Sequence, residues 1–86
     1  MDGNYIVYIL QCGDGSLYTG ITNDLSKRLL AHASGKGAKY TRGRGPFTVV
    51  FTKNFSSKSE ALKAENRIKS FDRKRKLQLI SEGDLV

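Results

Sequence analysis

Apolar positions recur along this chain with two different periods, and the switches between them predict its elements. From Tyr5 to Gln11 the run is rich in β-branched and aromatic residues and apolar on both faces, which predicts a central strand. Cys12-Gly13-Asp14-Gly15 supplies turn chemistry, with two glycines able to adopt positive φ. Ser16 to Thr22 then reads as a second strand that returns as a hairpin. Beyond it the period changes. Leu25, Leu29 and Ala33 lie on one helical stripe, with Asn23 or Asp24 as the cap and Gly35 placed to end the helix.

Ser34 through Pro46 has no period and is rich in glycine and cations, so it reads as a long basic loop. Phe47 to Thr52 alternates again, predicting a third strand with Phe47, Val49 and Phe51 on one face. Ser57-Lys58-Ser59-Glu60 has the form of a capping box, and Ala61, Ala64, Ile68 and Phe71 form the inward stripe of the helix it starts. Asp72 can cap a last helix, with Leu77 and Ile80 facing in and Arg73 to Lys76 facing out. The expected fold is α+β: one small domain over residues 1–86, with its core roughly in 4–80, a three-stranded antiparallel sheet flanked by helices, in the order β-β-α-β-α-α.

Size and charge narrow the partners. A chain of 86 residues holds one simple core. Its formal net charge of +7 favours a polyanion: DNA, RNA or an anionic surface. The sequence contains no apolar run long enough for a transmembrane helix and no basic-then-apolar secretory leader, so a cytoplasmic location is expected. Cys12 is the only cysteine, which excludes an internal disulfide and a multi-thiolate zinc site.

Ile6-Val7-Tyr8, Tyr18-Thr19-Gly20, the spacing onward to Arg28 and His32, and the segment from Ser59 to Lys69 together carry a resemblance. The chain resembles the GIY-YIG nuclease superfamily, and in particular its small stand-alone bacterial members. The acid-bearing segment is similar to that in the nuclease domain of the bacterial excision-repair incision subunit. The resemblance implies phosphodiester hydrolysis by single-strand nicking of DNA, with a single Mg²⁺ or Mn²⁺ ion, in DNA repair or recombination. It implies catalytic roles for Tyr8, Tyr18, Arg28, His32 and Glu65, with Glu65 as the metal ligand. One departure stands out. Many members carry an asparagine beyond the acid-bearing helix, and the stretch from Asp72 to Val86 contains none.

The residues have their own chemistry. Tyr8 and Tyr18 fall on neighbouring strands, where a hairpin brings their rings to one site; the alternative is a pair of core tyrosines with satisfied hydroxyls. A free phenol has a pKa of about 10, so as a base near neutrality it needs nearby cations to lower that value. Arg28 and His32, at i and i+4, project from one edge of the first helix. The arginine fork suits two phosphate oxygens, and the histidine suits proton exchange with the tyrosines. Glu65 lies between Ala61 and Ile68 on an apolar face, where an unpaired carboxylate is costly. A Mg²⁺ ion would compensate it, and so would a salt bridge to Arg28 or Lys69.

In the basic loop, Lys36, Lys39, Arg42 and Arg44 surround Tyr40, which suits salt-sensitive, sequence-independent contact with a structured or damaged DNA backbone. Tyr40 has two roles open to it, stacking on a base or reaching into the site. A monomer or weak dimer is expected. The competing reading is a non-catalytic DNA- or RNA-binding module on the same scaffold.

Overall fold

The computed structural model describes residues 4–83. Three strands form one antiparallel sheet: β1 (Tyr5–Gln11), β2 (Leu17–Thr22) and β3 (Thr48–Phe55), in spatial order β2-β1-β3. Helices α1 (Leu25–Ala33), α2 (Lys58–Lys69) and α3 (Arg73–Glu82) complete the expected order. β1 is central, as its two apolar faces require. Tyr5, Val7 and Ile9 point to one side and join Phe51, Ala61, Ala64, Ile68 and Leu79 in the core under α2 and α3. Tyr8, on the opposite side, faces α1 through its hydrogen bond to His32.

Local chemistry sets the element ends. Asp24, not Asn23, caps α1 by accepting from the Lys27 N–H at 3.1 Å, and Ser57 caps α2 by accepting from the Glu60 N–H at 3.2 Å. Gly35 has φ +80°, which lets the Lys36 N–H reach the Ala31 carbonyl and close the end of α1. In the first turn only Gly15 has positive φ. Gly13 serves another purpose: a Cβ there would collide with the Gly45 carbonyl, so the bare backbone lets the hairpin turn touch the long loop.

Three details depart from the pattern. The register slips between Ile9 and Leu10, which pair with Phe51 and Val49, so Val50 is the extra residue of a bulge. The bulge breaks the simple alternation: Phe51 joins the core under α2, whereas Phe47 lies 5.9 Å from His32 on the α1 side. In α1 the inward line runs through Leu25, Arg28, Leu29 and His32, so His32 is buried and Ala33 is exposed. In α3, Leu79 is fully buried and Leu77 is 44 % exposed, the reverse of the expected role for Leu77. Residues two positions apart on a helix are separated by about 200°, so burying Leu79 turns Leu77 outward. The same rotation half-buries Arg75 and Lys76, and the Arg75 guanidinium covers the Phe71 ring at 4.9 Å.

Candidate active site

The site is assembled on the α1 side of the sheet, where β1 and β2 present Tyr8 and Tyr18. Their ring centroids are 6.3 Å apart. Gly20 makes this possible. A Cβ there would meet the Tyr8 hydroxyl at 2.6 Å and the Tyr18 ring at 2.9 Å, so the glycine opposite Tyr8 in the ladder leaves the space its phenol crosses. His32 packs edge-on against both rings, at 6.0 and 5.3 Å, and its Nε2 is 2.9 Å from the Tyr8 hydroxyl.

Electrostatics tie Arg28 and Glu65 to the same place. Burial pushes the Tyr8 phenol above its ordinary pKa; Arg28 pulls it back, while Tyr18 and Glu65 push it further up. The expected lowering by a cation is therefore present but loses to burial. Proximity to the Tyr8 phenol, opposed by partial burial, pushes the Arg28 pKa above its ordinary value, and Tyr18 adds to it. Burial first, and the charge of Arg28 second, lower the His32 pKa below 6.5. His32 is thus a neutral imidazole at pH 7, touching a neutral phenol. The hydrogen bond between them gives the phenol proton a path to the ring nitrogen.

Glu65 is 8 % exposed, and its carboxylate lies 3.3 Å from the Lys69 ammonium, one turn later on α2. Lys69 is half exposed, so this is a wet pair and not a sealed one. Of the two compensating cations named from the sequence, Lys69 is the one present. Among the described residues no group of three or more His, Cys, Asp or Glu side chains converges to hold a metal. The donor set fits an ion that uses one carboxylate and fills its remaining positions with water and substrate phosphate, as magnesium does.

The long loop folds down beside these groups through a single 3₁₀ turn, Lys39–Thr41. Tyr40 reaches into the site and stacks on Tyr18 at 5.9 Å. Arg44 holds it there: its guanidinium lies 4.6 Å over the Tyr40 ring, its Nε donates to the Tyr40 carbonyl, and its Nη1 pairs with Asp14 at 2.5 Å. The Ser16 hydroxyl and N–H, together with Arg44, hold the Asp14 carboxyl at about 2. Arg44 is thus built into the fold, while Lys36, Lys39 and Arg42 are exposed on the loop surface.

Sequence reasoning missed Thr41, Gly37, Gly20 and Lys76. Gly20 had a signal in its motif and Lys76 in the basic run from Arg73 to Lys76, but Thr41 and Gly37 had none that local pattern could supply. Lys76 and Lys69 line a groove of about 280 Å³ with Leu17, Tyr18, Thr19 and Tyr40, at one end of β2. A second groove of about 390 Å³ at the other end holds Arg28, Lys58 and Asn23. The Oγ1 atom of Thr19 is buried and makes no hydrogen bond. A larger apolar cleft of about 700 Å³, between α1 and the Gly45–Val49 segment, contains none of the five candidate catalytic residues.

Comparison with known proteins identifies the family. The model of the GIY-YIG catalytic domain matches residues 4–78, and such a domain implies nuclease-type chemistry on DNA. The chain is 60% identical over 80 residues to a UPF0213 protein of Oceanobacillus iheyensis, covering 93% of each chain. It is 59% identical over 82 residues to one from Clostridium perfringens, covering 95% of this chain and 87% of the other. The solution NMR structure of a UPF0213 protein from Bacillus halodurans is similar at 58% identity and a TM-score of 0.61, over 91% of this chain and 83% of that one. A second solution NMR structure, of a protein from E. faecalis, is similar at 41% identity and a TM-score of 0.66, over 95% and 90%. The family model over residues 4–78 and the UPF0213 relatives agree: this chain belongs to the GIY-YIG family.

Proposed function

We propose that this domain is a metal-dependent DNA endonuclease that nicks one strand of structured or damaged DNA without reading its sequence. The observation that carries the reading is the contact between the Tyr8 hydroxyl and His32 Nε2 at 2.9 Å, with Arg28 and Glu65 within electrostatic reach of the phenol. A neutral phenol is a weak base. Passing its proton to His32 makes it a phenolate, which takes a proton from the attacking water as that water bonds to phosphorus. The bond from phosphorus to the leaving oxygen breaks, the leaving oxygen takes a proton from solvent, and the imidazolium returns its proton to solvent.

Arg28 supplies a fixed positive charge and a planar fork for the charge that builds on the phosphoryl oxygens. Tyr18 positions the phosphate beside it. Glu65 would hold a single Mg²⁺ or Mn²⁺ ion, which when bound supplies Lewis-acid stabilisation of the developing charge. The exposed Lys36, Lys39 and Arg42, and the lysines at the two ends of β2, support backbone contact. Among the described residues no helix is long and apolar enough to cross a membrane. A cytoplasmic role in repair or recombination fits this chemistry. The test is conversion of supercoiled plasmid and branched DNA to nicked product with Mg²⁺ or Mn²⁺. Nicking that disappears with chelator supports the proposal, and intact DNA under either metal overturns it in favour of a non-catalytic binding module.

A further inference from the structure

We propose that Thr41 is a positioning residue that fixes the tautomer of His32, and that the basic loop must therefore be docked for Tyr8 to lose its proton. This rests on the nuclease reading above. Thr41 sits at the end of the loop's single 3₁₀ turn, is 1 % exposed, and is one of four buried polar or charged residues among those described. Its Oγ1 lies 2.9 Å from the Ala38 carbonyl, which can only accept. The one hydroxyl proton goes there, so toward His32 Nδ1, at 2.8 Å, the same oxygen is an acceptor. Nδ1 then carries the ring proton. In a neutral imidazole that leaves Nε2 bare, facing the Tyr8 hydroxyl at 2.9 Å.

The result is one directed chain, from the Tyr8 O–H to His32 Nε2, and from His32 Nδ1–H to Thr41 and the Ala38 carbonyl. When the phenol proton moves to Nε2, the imidazolium that forms still donates from Nδ1 to an acceptor already in place, so nothing has to rotate. With the opposite tautomer Nε2 would donate to Tyr8, and the phenol would have nowhere to send its proton.

Gly37 supplies the second observation. A Cβ there would collide with His32 Nδ1 and meet its Cα at 2.9 Å, so the loop descends onto the imidazole only because residue 37 has no side chain. Tyr40, between Lys39 and Thr41, is stacked on Tyr18. The segment whose exposed cations face DNA thus also holds both partners of the Tyr8 phenol, which makes loop docking a condition for catalysis.

His32 is the only histidine, so its ring nitrogens can be read directly in a long-range ¹H–¹⁵N spectrum of the intact protein. At pH 7.5 the expected pattern for the native chain is a protonated Nδ1 and a bare Nε2. Thr41→Val should shift that pattern toward the other tautomer and lower kcat for nicking by roughly tenfold or more, within the ~10²–10⁴-fold that proton transfer contributes, with KM little changed. Thr41→Ser should restore both. A native spectrum with Nε2 protonated overturns the proposal whether or not Thr41→Val folds, and so does a folded Thr41→Val protein that keeps the native tautomer or nicks at the native rate. If the spectra behave as expected but no variant nicks DNA, the tautomer assignment stands and the nuclease reading is what fails.

Discussion

At the scale of single residues, the decisive fact is a balance of opposing effects on one phenol. Burial and two neighbouring acids hold the proton on Tyr8, Arg28 works against them, and His32 is where that proton can go. Because the folded His32 pKa lies below its ordinary value, nicking should rise with pH through that lowered pKa and level off above 6.5. Stability follows the same sign. The unfolded chain takes up the histidine proton first on acidification, so this contribution is complete above 6.5 and is lost as pH falls through the folded value. Denaturant melts of the native protein and His32→Gln from pH 7.5 downward check this; the variant should lack that part of the pH dependence. Arg28→Ala removes one of the two causes of the lowering, so the His32 pKa should climb toward 6.5 in an NMR titration. An unchanged value would mean that Arg28 does not face the imidazole.

At the scale of elements, much of the fold was legible and the exceptions share a cause. β1 announced its central position by being apolar on both faces, and Asp24, Ser57 and Asp72 all cap helices as their sequence positions suggest. The bulge at Val50 was invisible, because register depends on the partner strand and alternation within one strand cannot report it. The rotation of α3 was also hidden, since Leu77, Leu79 and Ile80 offer competing stripes and only docking against the core chooses between them. That choice has an energetic consequence. Leu79→Ala should cost about 2–5 kcal/mol in a denaturant melt, whereas Leu77→Ala should stay within roughly 0.5 kcal/mol. Equal losses would contradict the observed rotation. The loop was legible as basic and glycine-rich, but the use of Gly37 was not. Gly37→Ala should lift the loop from His32 and weaken nicking more than it weakens DNA binding.

At the scale of the whole molecule, cationic grooves flank the strand that carries Tyr18. The grooves at the two ends of β2 carry Arg28 with Lys58, and Tyr18 with Lys69 and Lys76, so a strand lying along β2 meets cations on both sides of the phenols. DNA affinity should fall steeply with salt, and the slope of log affinity against log salt should lessen by about one for each of Lys36, Lys39 and Arg42 replaced by alanine. The three groups around the phenols were readable from motif spacing, but their convergence was a matter of topology. Glu65 is carried by α2, in the layer across the sheet from α1, and still raises the Tyr8 pKa from there.

The central claim is that these groups form one hydrolytic site, and Glu65→Gln tests it most directly when cutting and binding are measured on the same DNA with Mg²⁺ present. The account predicts that the variant binds as tightly as the native protein, or more tightly, and leaves the DNA intact while the native protein nicks it. A Glu65→Gln protein that nicks at the native rate, or one that loses binding and cutting together, would contradict it.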